Sequence, residues 1–388
     1  MSLEQIVELD SHSPETGLGP ITEAEERISV APQWQLMWWR FRKHKLALVS
    51  TVLVLLFYIV VAFADFLAYA DPLASEAQRA LISPQVVHLF GTDGFAPYVE
   101  GLAGARDPQT FKRVYVPDPN TKVQLAFLPR GFSYKLFGLI PMDRHLLGVA
   151  GEDRTAENSL FLLGTDDQGR DQWSRLMYAT QTSLLIGLVS VAISLFLGVL
   201  LGGLSGYLSG MVDTLIQRLI EILRSIPTIP LWMGLAAAVP KDWEIPRVFF
   251  VMTLIFSLFS WTELARVVRG RFLSLRSEDF VTAAELVGCS RLRIIFRHLV
   301  PSFLSHIIAA TTLALPAIII FETSLSFLGL GMRPPAISWG VMLQQASNVQ
   351  TAAISPWLLL PAIPVIVAIL AFNFLGDGLR DAADPYGV

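Results

Sequence analysis

Residues 277–301 read SEDFVTAAELVGCSRLRIIFRHLVP, a polar, arginine-rich island between two long apolar runs. Its pattern predicts two short helices. Ser277 is an N-cap residue by type, and Glu278 and Asp279 in the first turn suit the positive end of a helix dipole. Phe280, Ala283, Ala284 and Val287 recur at i, i+3, i+4 and i+7, which places them on one face. Two of the four are alanines, so that face is shallow and lets another backbone come close. Gly288 ends the first helix, Ser290 caps the second and Pro301 closes it. Such a hairpin suits presentation to a partner. An ordinary solvated loop is compatible with the same spacing.

The flanking runs set the class of the whole chain. Of 388 residues, 53% are hydrophobic and 16% charged, against about 25% charged in soluble domains. A polytopic, all-α membrane protein is the expectation. The net charge of −4 decides nothing, because the distribution carries the information. Arg266, Arg269, Arg271 and Arg276 precede the island and Arg291, Arg293 and Arg297 lie inside it. This is the heaviest basic concentration in the chain, and it places the loop on the cytoplasmic side. The single cysteine, Cys289, leaves no intrachain disulfide to form and reads as a small packed residue. Residues 1–33 are acidic and polar with no apolar core, so the expectation is a disordered cytoplasmic tail rather than a cleaved leader.

About six apolar runs are long enough to span a bilayer, near 46–66, 182–204, 219–239, 248–267, 303–328 and 357–375. Residues 34–45, WQLMWWRFRKHK, mix aromatics with Arg and Lys and suit an interfacial helix before the first span. Residues 67–172 form a large polar insert between spans one and two, with Pro and Gly throughout and strand-like runs at 112–116 and 123–128. The pattern leaves two uses open: a structured loop on the outer rim, or a contact surface for a solute-binding protein or gate. Gly198, Gly202, Gly206 and Gly210 recur every four residues, a small-residue ladder whose default use is helix packing. Pro227 and Pro230 break the hydrogen-bond ladder of the third span, and Pro316 interrupts the fifth. Glu322 is a carboxylate near the outer end of a span, which makes it a candidate for the pathway; a salt bridge to a neighbouring arginine is the structural use of Glu221.

Several chemistries are excluded. There is no G-x-x-x-x-G-K-[ST] phosphate loop, Gly-Lys never occurs, and H-E-x-x-H is absent. The six histidines are scattered, so packing or capping suits them better than metal ligation. The Asp/Gly-rich run at 164–171 lacks the ligand spacing of a calcium loop. The basic clusters flank spans and belong to no nucleic-acid module. No catalytic residue and no metal site is expected.

Four signatures resemble one family. Thr282-Ala283-Ala284, then Gly288, then His298-Leu299-Val300-Pro301 resemble the EAA loop of importer-type ABC transporter permeases. Thr282 stands where that family usually has Glu, and Glu285 lies one turn on. Residues 164–171, GTDDQGRD, resemble the GTDxxGRD signature of the dipeptide, oligopeptide and nickel branch, which leads into an interfacial helix, here 173–178. Residues 326–340 resemble its FLGLG…PPxPSWG element, with Ile337 for the usual Pro, and 376–385 match its GDxLRDxxDP ending.

The resemblance implies the type I importer permease fold, a core over 173–376, a coupling loop over 268–301 and a cytoplasmic tail over 377–388. It implies that Phe280, Thr282, Ala283, Ala284, Glu285, Val287, Gly288 and Ser290 couple to an ATPase subunit, and that Glu221, Pro227, Pro230 and Glu322 lie along the pathway. The implied partners are a second permease, two ATP-hydrolysing subunits that carry ATP and Mg, an external solute-binding protein and the lipid of the inner membrane. Both termini are then cytoplasmic. Peptides are the first choice of cargo, ahead of oligosaccharides, opines or nickel complexes. A secondary transporter or channel working alone is the reading from another class; it predicts ion-coupling carboxylates and inverted repeats that are not visible here.

Overall fold

The first apolar run becomes helix α2 (Lys45–Ala62), preceded by the interfacial helix α1 (Gln33–Phe41). His44 caps α2 by accepting from the Ala47 amide at 3.1 Å. The computed structural model describes residues 33–91, 94–106, 113–150, 158–240 and 242–383. The acidic tail expected over 1–33 therefore lies outside the described residues apart from Gln33, as do Lys112 and the final Asp384 and Pro385.

Among the described residues five helices are long and apolar enough to cross a membrane, and a sixth is counted if one bent pair forms a single span. After α2 comes α3 (Gln172–Leu208), which at 37 residues is about 55 Å long against the ~30 Å hydrocarbon core. The interfacial helix expected at 173–178 is the first two turns of α3 and not a separate element. The third apolar run is broken as its prolines predict: α4 (Gly210–Ser225) and α5 (Thr228–Ala237) meet at 82°. Pro227 caps α5, and the first helical bond there runs from the Leu231 amide to the Pro227 carbonyl oxygen at 3.2 Å. Helix α6 (Ile245–Leu275) leads into α7 (Asp279–Leu286). Helix α8 (Leu304–Phe327) runs through Pro316 without a break, so this proline does not interrupt the fifth span. Two short helices, α9 (Trp339–Gln345) and α10 (Val349–Ile354), precede α11 (Ala362–Ala383).

The pairing of α3 with α6 is the most extensive in the fold, and the glycines explain it. A Cβ on Gly202 would lie 2.5 Å from the Ala265 carbonyl oxygen, and one on Gly206 2.7 Å from Phe272 Cβ. Backbones at that distance maximise dispersion contact where no hydrophobic drive separates helix from lipid. Ser190 and Ser194 add hydrogen bonds to the Thr253 and Ser257 carbonyl oxygens at 3.2 and 3.3 Å. Gly210 does not belong to the ladder. It starts α4 at φ +63°, and a methyl added there would meet nothing within 4 Å. The main core gathers Phe256, Trp232, Trp339, Ile319 and Phe372 from α6, α5, α9, α8 and α11. Helix α11 returns to α1 and α2, where Phe41, Ala47 and Ala382 pack together. The first and last described helices therefore share one side of the bundle.

The insert is a β subdomain, which the helical expectation did not describe. Strands β1 (Val87–Gly91), β2 (Gly94–Arg106), β3 (Arg113–Phe127) and β6 (Leu147–Val149) form one antiparallel sheet in the order 1-2-3-6. Strands β4 (Arg130–Leu136) and β5 (Ile140–Arg144) form a separate hairpin. All but Leu128 of the run expected at 123–128, and the end of that at 112–116, lie in β3. Val99 pairs with Val123 and Leu125 with Val149, and the inward side chains of these pairs join Tyr69 and Leu160 in a small core.

Candidate functional site

Three places concentrate chemistry: the hairpin after α6, a cleft among the helices, and a buried polar network where the insert meets α3. In the hairpin, Glu278 is the N-cap of α7 and Ser277 is not. At the other end Gly288, at φ +81°, closes a Schellman motif. The Cys289 amide donates to the Ala284 carbonyl oxygen at 3.0 Å and the Gly288 amide to that of Glu285 at 2.9 Å. The next segment begins at Ser290 and turns into a π-helix over Ile294–Leu299. A wider turn there accommodates Pro301, which has no amide to donate and whose ring crowds the preceding carbonyls.

The structure divides the predicted coupling residues between two faces of α7. Val281 and Ala284 are buried, packed with Phe272, Ile294, Ile295 and Leu299. Ala284 is thus a foundation of the hairpin and not part of a shallow outer face. Glu285 accepts a hydrogen bond from the Tyr207 hydroxyl at the end of α3. The face left open carries Thr282, Ala283, Leu286 and Val287, with Phe280 at its edge. Leu286 and Val287 are each 84% exposed, the reverse of what burial preference dictates for such side chains in water. Leu292 and Phe296 extend the apolar surface, and Gly288 and Ser290 lie beside it, both exposed. Spacing alone did not mark Leu286; its helical angle, midway between Thr282 and Ala283, would have done so.

The cleft encloses about 550 Å³ between α3, α4, α5, α6 and α8, within the 300–1,000 Å³ range of ligand pockets. Trp232 and Phe321 form apolar walls, and Ser194, Thr228, Ser260 and Thr311 supply hydroxyls. Its two charges are Arg224, at the end of α4, and Glu263, on α6. Arg224 Nη1 stands 3.9 Å from Glu263 Oε2, with Glu263 82% exposed. Glu263 lies about 27 Å along α6 from its start, within the apolar part of the helix. An open carboxylate at that depth is costly against lipid, so this side of the bundle faces water or protein. Glu263 was findable from sequence: it is the one carboxylate in the run 248–267.

The predicted pathway residues fare differently. Thr228, immediately after Pro227, lines the cleft; Pro227 and Pro230 shape it by breaking the span and are exposed. Glu221 turns away and pairs with Arg218 at 2.7 Å on an exposed surface, the salt-bridge use noted from sequence. Glu322 is fully buried outside the cleft and accepts from the Ser183 and Ser326 hydroxyls at 3.0 and 2.9 Å. Ser183 also takes the Trp339 amide, and the Trp339 indole donates to Thr180 at 3.1 Å. Glu322 therefore ties α3, α8 and α9 together.

Where the insert meets α3, Asp166 pairs with Arg170 at 2.7 Å and lies 3.6 Å from Arg175, all three buried. Gln345 on α9 donates to Asp166 at 3.1 Å, and the Trp357 indole to the Thr165 carbonyl oxygen at 2.9 Å. Asp171 caps α3 through the Ser174 amide at 2.7 Å and accepts from the Tyr69 hydroxyl at 2.7 Å. Burial pushes its carboxyl up to about 6 against the opposing effect of those hydrogen bonds. The Tyr69 hydroxyl is raised well above its ordinary range by burial and by the neighbouring Asp171. This run at 164–171 is a joint between insert and bundle.

Comparison with known proteins fits this architecture. Residues 198–386 match the family described as binding-protein-dependent transport system inner membrane component. Residues 32–84 match the N-terminal TM domain of oligopeptide transport permease C. The oligopeptide transport system permease protein OppC of Escherichia coli K12 is 40% identical over 223 residues, 57% of this chain and 71% of the relative. A putative peptide transport system permease protein of Brucella suis is 39% identical over 225 residues, 58% of this chain and 73% of the relative. The solved MetNI methionine ABC transporter aligns over 53% of this chain and 95% of its own at 19% identity, with a TM-score of 0.41. The two family matches together take in the interfacial helix, the first span and the bundle from Gly198 onward. On that basis the chain belongs to the family of binding-protein-dependent transport system inner membrane components, as a multi-pass permease of an ABC importer.

Proposed function

We propose that this chain forms half of the translocation pathway of a peptide importer, paired with a second homologous permease and driven by two ATPase subunits on its arginine-rich, cytoplasmic side. The observation that carries the coupling role is the open apolar face of α7, where Leu286 and Val287 are 84% exposed at the tip of a rigidly capped turn. The choice of peptides rests on the names of the relatives, oligopeptide and peptide permeases. ATP and Mg are bound by the ATPase subunits and no cofactor by this chain. A solute-binding protein delivers cargo on the insert side, and both termini lie in the cytoplasm of the inner membrane.

The mechanism is alternating access. ATP-driven closure of the ATPases moves the docked hairpin, and Val281, Ala284 and Ile295 transmit that motion to Phe272 and Val268 of α6. Helix α6 is clamped to α4 by a two-bond contact from Arg269 to Asp213, 2.6 Å for each bond. The same two helices carry Glu263 and Arg224 in the cleft, so displacement of α6 alters the polar opening through which cargo passes. Differential binding of the ATPases to the two arrangements supplies the bias. The test is reconstitution with the ATPases, the second permease and the binding protein in vesicles. Peptide accumulation that requires internal or external ATP supports the proposal, according to the side on which the ATPases lie. Accumulation driven by an ion gradient without ATP refutes it, and retention of a sugar, opine or nickel complex by the binding protein refutes the choice of cargo.

A further inference from the structure

The hairpin β4–β5 is fixed at its base to the turn that follows the first span. The Leu146 amide donates to the Phe66 carbonyl oxygen at 2.9 Å, and His145 Nδ1 lies 3.1 Å from that of Asp65. At its tip the ring of Phe137 meets Phe63 edge-on, with centroids 5.7 Å apart. Passing from residue 66 to residue 63 leads back toward α2, so the hairpin points along the first span toward the bilayer. Its tip is apolar and open. Residues 137–141, Phe-Gly-Leu-Ile-Pro, are all exposed, with Leu139 at 82%.

That tip continues a stripe already suited to lipid. Val52, Leu55, Leu56, Ile59 and Phe63 are exposed at i, i+3, i+4, i+7 and i+11 along α2 and its cap. Phe63 ends the stripe, and Phe137 touches Phe63. The turn is built at a conformational cost: Phe137 holds φ +54° and Gly138 +72°, and a bulky residue in the left-handed region marks a local structure kept for a purpose. Lys135 is exposed two residues before the tip, placed to keep its ammonium at headgroup level while the tip goes deeper.

We propose that residues 137–141 insert into the interfacial layer of the lipid bilayer beside the first span, anchoring the insert to the membrane. The inference rests on membership in a membrane family and not on the identity of the cargo. Its test uses the chain's single cysteine. Cys289→Ser frees the background, and Leu139→Cys or Ile140→Cys then carries a nitroxide label in the full transporter reconstituted in phosphatidylethanolamine and phosphatidylglycerol vesicles. Leu56→Cys on the stripe and Phe90→Cys on the sheet serve as lipid and water references. The expected result at both tip positions is collision with oxygen in excess of collision with a water-soluble nickel chelate, as at position 56 and opposite to position 90. Nickel in excess at the tip places it in water and overturns the proposal. Shielding from both probes also overturns it and assigns the tip to a protein partner.

Discussion

Replacing Gly202 by Ala adds one methyl where α3 meets the backbone of α6. That carbon would sit 2.5 Å from the Ala265 carbonyl oxygen, 2.8 Å from its Cα and 3.0 Å from its carbonyl carbon. Comfortable contact is about 3.5–4.0 Å, so α3 and α6 must separate by roughly 1 Å. All three obstacles are backbone, and no rotamer change relieves them. Overpacking of this kind costs about 1–3 kcal/mol, offset by the ~1 kcal/mol that Ala gains over Gly in a helix. Gly234 and Gly270 provide the comparison, because a methyl at either meets nothing within 4 Å. Thermal unfolding of the purified transporter, followed by reaction of the Cys289 thiol, should show Gly202→Ala below wild type and Gly270→Ala at or above it. Uptake should fall with Gly202→Ala by more than stability alone explains, since α6 carries both Glu263 and the hairpin. Equal stability of the Gly202 and Gly270 variants would refute the close-contact reasoning.

Three further outcomes follow from the site. Glu263→Gln and Arg224→Gln should leave assembly and stability within about 1 kcal/mol, because a partly exposed pair at 3.9 Å contributes little; peptide uptake should drop several-fold, measured with labelled peptide in vesicles. Gly288→Ala meets no atom but must hold φ +81°, a cost of about 1–2 kcal/mol for a residue with a Cβ; ATPase affinity should weaken while membrane insertion is unchanged, as read by co-purification. Asp171 has a folded-state pKa of about 6 against 3.8 ordinarily, so its contribution to stability is present below pH 3.8 and is lost as pH rises through 6. Asp171→Asn keeps an acceptor for Ser174 and Tyr69, and should flatten the pH dependence of unfolding temperature across that window.

Periodicity and apolar length located the spans because bilayer thickness dictates them whatever the tertiary contacts are. They also located the break at Pro227, where the missing amide acts locally. Pro316 shows the limit of the same rule, since a packed helix tolerates a proline that an isolated one does not. The sorting of Ala284 inward was not legible, because it depends on Phe272 and Ile295 arriving from elsewhere in the chain, whereas the helical angle of Leu286 was there to be read. Glu322 looked functional from its place near a span end, and its three-element hydrogen bonding emerges only in the fold. Glu263 was legible as an isolated carboxylate in an apolar run; its significance depends on the cleft it borders. The insert's strands were partly visible at 123–128, but its register rests on pairings between distant residues.

Coupling through the open face of α7 is tested most directly by ATPase binding to the double variant Leu286→Glu with Val287→Glu. Both side chains are 84% exposed, so the substitutions leave the permease's own packing intact. Losing two apolar anchors at an interface costs at least about 1.4 kcal/mol, which is tenfold in affinity. The expected result is a loss of ATPase co-purification of that size or greater, with ATP-dependent uptake abolished and the permease normally inserted. Undiminished co-purification together with wild-type uptake would contradict docking on this face.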